Sequence, residues 1–283
     1  MNTSPEGELR GSWFAAAGVA DDGSLEAWAR AYVLTPTPAG KLAPPPRARL
    51  GAPPRVAHAP PSAPGRGAGF AVVARTEGTP RRGALARPDG RARLLHLCLH
   101  HEVQAAELMA YAVLRFADAP TRFRRGLLGV LDDEVRHARA YAARLAEVGC
   151  AYGDLPVRDW FWQRVPSVAG PREFVALMGM GLEGGNLEHT RRFEADLAAA
   201  GDHESAALVA AVGAEEVAHV RFATRWFLRF SGEAPTTCPE CDAWRRALPP
   251  PLTPTVLRGL PLDRERRERA GQGAPFLDAL EAW

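Results

Sequence analysis

Two short segments of the sequence repeat one another, and they constrain the fold more than any other feature. Residues 133–137 read DEVRH and residues 215–219 read EEVAH, an acidic residue followed by Glu-x-x-His in each case. Both stand in long stretches with helical periodicity. Because residues three apart lie on one helix face, each repeat directs a carboxylate and an imidazole toward one point. One such motif is common on helix surfaces, but two are typical of a two-metal site in a four-helix bundle.

Helical periodicity begins after residue 90 and predicts four long helices. Their ends are marked by Pro120, which disfavours helix in the residue before it, and by Gly149, Gly201 and Gly232. The predicted helices span residues 91–117, 121–149 with Thr121 as N-cap, 171–201 and 202–232. Two helical hairpins joined by a longer crossover predict an all-α, ferritin-like four-helix bundle.

Composition divides the chain into three parts. Residues 1–90 hold 13 of the 25 prolines, which predicts a Pro/Gly-rich N-terminal arm with one short helix from Ser24 to about Leu34. Residues 91–232 form the predicted bundle. Residues 233–283 form a C-terminal extension, which we expect to wrap the bundle and to end in a short helix near residues 276–283.

The first and third bundle helices each offer two glutamates, Glu102 with Glu107 and Glu183 with Glu188. Five residues rotate a helix by about 140°, so both members of a pair cannot point at the bundle axis. Spacing to the Glu-x-x-His motifs does not choose between them. The pattern of apolar residues on each helix does.

The apolar stripe of the first helix passes through Glu102, whereas the series through Glu107 passes His96 and His100. Glu188 is flanked by two arginines, which favours Glu183 as the inward residue. The predicted metal ligands are Glu102, Glu134, His137, Glu183, Glu216 and His219. Gly184 and Gly185 are costly in a helix, and either close packing or room for a substrate would explain them.

Four buried carboxylates would repel one another unless cations held them, and two divalent metals neutralise their charge. Oxygen ligands with one imidazole per metal suit two iron ions, with Mn/Fe or Mn/Mn pairs as alternatives. Asp133 and Glu215 are either hydrogen-bond partners of the ligating histidines or exposed helix charges. Tyr141 is either a redox side chain or a packed core residue.

Charge and cysteine usage exclude several classes of function. Lys and Arg number 35 against 33 Asp and Glu, a net charge of +2 that argues against nucleic-acid or anionic-membrane binding. No segment approaches the roughly 20 apolar residues of a membrane span. Cys98 and Cys150 read as buried residues in or beside helices, and Cys238-x-x-Cys241, half of a zinc motif, as an exposed turn. We expect a cytoplasmic protein without a membrane partner.

At these residues the chain resembles an uncharacterised family of bacterial ferritin-like proteins, labelled as a domain of unknown function. The resemblance rests on HHEVQAAELMA (100–110), LDDEVRHARAYAARL (131–145), YGDLPVRDWFW (152–162), GLEGGNLEHT (181–190) and EEVAHVRFATRWF (215–227). The pair Glu183 and Glu188 is also similar to the tRNA-isopentenyladenosine hydroxylase, a ferritin-like diiron monooxygenase. This resemblance implies that Glu102 and Glu183 are ligands. The segment 184–186 departs from those relatives, so their substrate contacts do not transfer.

The leading functional hypothesis is therefore a diiron oxidoreductase, an oxidase or monooxygenase that activates O₂ and acts on a small-molecule or macromolecular substrate. Glu134 and Glu216 would bridge the metals, and the other four ligands would each bind one. No flavin or nicotinamide fingerprint occurs, so an external electron donor is expected. Iron oxidation or storage and a non-catalytic helical scaffold are the alternatives, and a homodimer is compatible with each.

Overall fold

The computed structural model describes residues 5–45, 47, 57–76 and 78–283, with side chains from residue 11 onward. Helices are the regular secondary structure of these residues, which otherwise form one isolated parallel bridge between Val72 and Val157. An all-helical fold is thus confirmed for the part of the chain described. The chain divides into two compact units, unit 1 with Met1–Pro80 and Pro88–Gln163, and unit 2 with Arg81–Arg87 and Arg164–Trp283.

Unit 1 is built around a hairpin of two long helices. Its helices are α1 (Pro5–Ala16), α2 (Leu25–Leu34), α3 (Pro38–Leu42), α4 (Pro88–Arg115) and α5 (Thr121–Glu147). Gly149 follows α5 with a φ of 81°, as expected of a terminating glycine. The prediction of Thr121 as N-cap is wrong. The extended residue Pro120 is the cap, and its carbonyl accepts the first helical hydrogen bonds.

The N-terminal arm contains more helix than its composition predicted. Ser24 caps α2 as expected, because its Oγ accepts a hydrogen bond from the Ala27 amide at 3.0 Å. The prediction of a single helix is wrong, since α1, α3 and a 3₁₀ turn at Arg82–Ala86 also lie within the first 90 residues. Pro38 opens α3, a first-turn position that favours proline and that a count of loop-forming residues misses. Within unit 1, α2 packs on α4 and α3 on α5.

The helices of unit 2 begin with an interrupted one. The predicted helix 171–201 consists of α6 (Pro171–Val175), a π-helix (Ala176–Glu183) and α7 (Gly184–Ala199) in direct succession. The next helix, α8 (His203–Phe230), is capped by Asp202, whose Oδ1 accepts a hydrogen bond from the Ser205 amide at 3.0 Å. Gly201 and Gly232 end α7 and α8 with φ near 79° and 78°.

The C-terminal tail forms short helices that pack on unit 2. They are α9 (Cys241–Ala247), α10 (Pro254–Leu257), α11 (Arg264–Arg269) and α12 (Ala274–Glu281), the last being the predicted terminal helix. The indole Nε1 of the buried Trp244 donates to the Ala176 carbonyl at 2.8 Å and thereby fixes α9 to the π-helix. A Cβ on Gly185 would lie 2.7 Å from the Leu257 carbonyl oxygen, so close packing explains this glycine.

No helix in the described ranges combines the length and the apolar character that crossing a membrane requires.

Candidate metal centre

The hairpin of unit 1 brings three predicted ligands together on its buried side. Glu102 lies midway along α4, and Glu134 and His137 lie midway along α5; all three are buried. The His137 Nδ1 atom is 3.4 Å from Glu102 Oε2 and 3.7 Å from Glu134 Oε2. One ligand atom from each residue lies within 4.8 Å of the others, so this group could hold a metal ion.

The separations of these atoms match those of ligands on one metal ion. Two donors bound at about 2.1 Å and at angles between 90° and 180° are about 3.0 to 4.2 Å apart. Both His137 distances, 3.4 and 3.7 Å, fall inside this interval. Two carboxylates and one imidazole form the donor set that iron and manganese accept. The residues present therefore fit a metal ion of this kind.

The electrostatics of this group favour a cation at His137. Burial opposes protonation of the imidazole, but the neighbouring carboxylates of Glu102 and Glu134 together outweigh burial and raise the pKa of His137 to about 11. The two carboxylates thus attract positive charge to the Nδ1 position. A metal ion bound there would replace the proton, because only the deprotonated nitrogen is a ligand.

Unit 2 contains the second Glu-x-x-His pair in the same local arrangement. Glu216 and His219 are buried on α8, and the His219 Nδ1 atom lies 3.0 Å from Glu216 Oε2. As in unit 1, Nδ1 is the ring nitrogen that faces the carboxylate of the preceding turn. Glu183, the remaining predicted ligand, is buried as the last residue of the π-helix.

Glu107 is a buried ion-pair residue on the more polar face of α4, which also carries the buried His96 and His100. Arg66 donates to both carboxylate oxygens, at 2.6 and 2.9 Å, and Lys41 Nζ lies 2.7 Å from Oε1. The indole Nε1 of Trp162 adds a hydrogen bond of 2.8 Å. Burial raises the pKa of Glu107, but the charges of Arg66 and Lys41 prevail and hold it below its usual value.

Arg66 links this ion pair to a second buried acid. Its Nη2 atom lies 2.8 Å from Asp159 Oδ1, which in turn lies 3.4 Å from His100 Nε2. The other ring nitrogen of His100 is 2.8 Å from the Tyr152 hydroxyl. Segments from the arm, from α4 and from the chain after α5 are thereby joined in one polar network.

Glu188 is also buried, although the two arginines that follow it on α7, Arg191 and Arg192, are exposed. Arg267 of α11 donates to both of its oxygens, Nε at 2.6 Å and Nη2 at 2.8 Å. The backbone amides of Gly259 and Asp263 donate to the same carboxylate at 3.2 and 3.0 Å. The C-terminal tail covers this face of α7, which helical periodicity does not reveal.

The side chains with two open interpretations are now placed. Tyr141 is buried with 1% exposure, as a packed core tyrosine would be. Asp133 is half-buried and pairs with Arg136 at 2.7 Å, while Glu215 is exposed on α8. These positions favour the interpretation of both acids as helix charges.

The cysteines are free thiols in different environments. Cys98 is buried as expected, and burial raises its pKa to about 12. Cys150 is half-buried, and Cys238 is exposed. The prediction of an exposed turn is wrong for Cys241, which begins α9 and is buried.

Comparison with known proteins gives one match. The model of a family described as "Protein of unknown function (DUF455)" matches residues 33–278. No curated protein and no solved structure matches the chain.

Proposed function

We propose a function for this chain from its own residues, because the family to which it belongs, DUF455, is described as one of unknown function. The protein is a carboxylate-bridged dinuclear metal protein with a ferritin-like four-helix core and acts as an O₂-activating oxidase or monooxygenase. The observation that carries this proposal is the repeated placement of a Glu-x-x-His pair with Nδ1 facing its carboxylate, at His137 and at His219. The resemblance of Glu183 and Glu188 to the tRNA-isopentenyladenosine hydroxylase supports this class of chemistry by analogy.

The six predicted ligands would hold two iron ions, with Mn/Fe or Mn/Mn as alternatives. Glu134 and Glu216 would bridge, Glu102 and His137 would complete one position, and Glu183 and His219 the other. The charge of four carboxylates, all buried, supports this reading, because burial without cations would be strongly unfavourable. The π-helix that ends at Glu183 supports it too, since such segments are frequent at functional sites.

The residues around the predicted ligands favour oxidation over hydrolysis. Apolar side chains on the same helices are buried in each unit: Leu99, Ala106 and Leu131 in unit 1, and Met180, Leu187, Val212 and Ala223 in unit 2. Such surroundings exclude bulk water and disfavour attack by hydroxide on a polar ester. Two ferrous ions bound here would supply electrons to O₂.

The chain's own groups would orient the reaction and balance its charge. Insertion of one oxygen atom converts R–H, O₂, two electrons and two protons into R–OH and water, so an external reductase must supply the two electrons. The carboxylates of Glu102 and Glu134 hold a fixed negative charge beside His137 and would keep its Nδ1 directed at the metal position.

Metal content tests the ligand assignment. Purified with iron, the protein should hold about two metal ions per chain. Glu134→Gln and Glu216→Gln should lower this sharply, whereas the exposed controls Glu147→Gln and Glu204→Gln should not. Glu188→Gln should also retain metal, because Glu188 is bound by Arg267. If the Glu188→Gln variant lost its metal and the Glu183→Gln variant kept it, Glu188 rather than Glu183 would be the ligand.

Reaction with O₂ tests the class of chemistry. Loaded with Fe(II) under anaerobic conditions and then exposed to O₂, the protein should consume O₂ and develop a new near-ultraviolet or visible band. The Glu134→Gln variant should do neither. A protein that binds two metals, stays silent toward O₂ and hydrolyses a phosphate ester with Mn(II) or Zn(II) would overturn the proposal.

A further inference from the structure

A cavity of about 540 Å³ lies within unit 1 and is not formed by the predicted metal ligands. Its walls come from α4, from residues 73, 75, 76, 78 and 79 of the arm and from residues 155–158 and 160 after α5. The volume falls in the range of small-molecule sites, which run from about 300 to 1,000 Å³. The cavity can therefore accept a compact organic molecule.

Arginines are the charged residues of the lining that the structure describes. Arg75, Arg93 and Arg158 all line the cavity, and the lining residues that the structure describes include no Asp or Glu. Asp159, the acid next to Arg158, is directed to Arg66 and His100. The Nε atom of Arg158 is buried without a hydrogen-bond partner among the described residues. Guanidinium groups bind phosphate and carboxylate oxygens in a forked geometry, so this lining favours an anion.

The remaining lining residues supply aromatic and neutral polar surface. Trp160 lines the cavity, as does His101, whose ring stacks on Phe161 at 4.9 Å between centroids and 26° between planes. Burial, aided by the neighbouring His100, lowers the pKa of His96 to about 4. His96 is therefore a neutral hydrogen-bonding group at pH 7. Positive charge in the cavity comes from the arginines.

We infer that this cavity binds an organic anion with an aromatic body, its phosphate or carboxylate held by Arg75 and Arg158 and its ring against Trp160 and His101. The inference is independent of the metal centre. An anion alone would contact only the arginines, and a ring alone only the aromatic side chains. A molecule that carries both groups should therefore bind more tightly than either group alone.

Binding of 1-naphthyl phosphate to the full-length protein tests this inference. Isothermal titration should show saturable binding at one site. 1-Naphthol, which lacks the anion, and inorganic phosphate, which lacks the ring, should each bind at least about tenfold more weakly, as expected for loss of a charge-assisted hydrogen bond. 1-Naphthoate distinguishes the two anion types, because the tighter of the two aromatic anions identifies phosphate or carboxylate as the preferred group.

Arginine variants locate the binding site. Arg158→Gln and the exposed Arg75→Gln should each weaken binding of 1-naphthyl phosphate by about tenfold. Arg122→Gln, at an exposed position of α5 outside the cavity lining, should leave it unchanged. Arg75→Gln keeps the test decisive if Arg158→Gln fails to fold. The inference is overturned if neither aromatic anion binds, if 1-naphthol binds as tightly as its phosphate, or if all three variants behave alike.

Discussion

Glu107 in unit 1 and Glu188 in unit 2 occupy corresponding positions, five residues after Glu102 and Glu183, and each is buried, yet they are neutralised differently. Glu107 receives two cationic side chains, Arg66 and Lys41, together with an indole N–H. Glu188 receives one cation, Arg267, together with two backbone amides. A buried carboxylate on a long helix is thus satisfied in one unit by side chains and in the other by one side chain together with two backbone amides.

The difference follows from which extension covers each helix. In unit 1 the cationic donors come from upstream, from α3 and residue 66. In unit 2 the donors come from downstream, from α11 and the segment between α10 and α11. Backbone donors require close approach: a Cβ on Gly259 would lie 2.4 Å from the Glu188 Cβ. Side-chain donors reach further and tolerate more backbone variation. The arm and the tail are thus each tied to a long helix by a buried acid.

Removal of either acid, Glu107 or Glu188, should give the largest losses of stability. Glu107→Ala leaves Lys41 buried without its acid, while Arg66 keeps Asp159; Glu188→Ala leaves Arg267 without its acid. Breaking a buried pair costs about 3–5 kcal/mol. Urea denaturation should show both losses, and equal stability of wild type and variants would contradict the ion-pair account.

The loss in Glu107→Ala should also depend on pH. Burial, opposed by Glu107, lowers the pKa of Lys41 from 10.5 to about 8, and without Glu107 it should fall further. Between the pKa of Lys41 in the variant and about pH 8, the folded wild type therefore binds more protons than the folded variant. The free energy of unfolding that the variant loses relative to wild type is greatest below this pH window and shrinks as pH rises through it. A deficit that grows with pH over this window would contradict the assignment.

Gly259→Ala should give the next largest effect and tests the backbone solution alone. The added methyl group overlaps the Glu188 side chain near its root, so the tail must shift, at a cost of about 1–3 kcal/mol. Gly129→Ala on α5 is the matched control. Nothing lies within 4 Å of its added Cβ, and alanine in a helix should stabilise by about 0.5–1 kcal/mol. Thermal melts that move in the same direction for both variants would contradict the close approach.

Two tryptophan variants compare a charged with a neutral hydrogen-bond acceptor, and the neutral case should give the smallest effect. Trp162 Nε1 donates to the Glu107 carboxylate and Trp244 Nε1 to the Ala176 carbonyl, each at 2.8 Å. Replacement by Phe removes the donor in both. Trp162→Phe should cost about 1.5–3 kcal/mol and Trp244→Phe about 0.5–1.5 kcal/mol, because hydrogen bonds to charged groups are stronger. If urea denaturation showed a greater loss of stability for Trp244→Phe than for Trp162→Phe, the indole hydrogen bond to Glu107 would not be the stronger of the two.

The sequence was sufficient for features that depend on local chemistry. Terminating glycines lie where predicted, as at Gly149, because a left-handed residue after a helix is a local requirement. The approach of His137 to Glu134 follows from helical spacing. Its approach to Glu102 additionally needs the hairpin register, which the position of Pro120 sets.

The roles of Glu107 and Glu188 depend on distant residues and were therefore missed. Helical periodicity compares a residue with its own helix, whereas their partners Lys41, Arg66 and Arg267 lie 41 or more residues away. A signal was present in the five-residue spacing, which both halves repeat. The π-helix had no such signal, because residues 176–183 are as apolar as an ordinary core helix.

The π-helix before Glu183 has a consequence for how the chain can change in length. A π turn holds an additional residue, so one residue could be deleted from 176–182 and the segment could close into ordinary α-helix with both flanks kept in phase. The same deletion before Glu134, inside the regular helix α5, would rotate that carboxylate by about 100° relative to the preceding residues. A single-residue deletion should therefore be tolerated in the π-helical segment before Glu183 and not in α5 before Glu134.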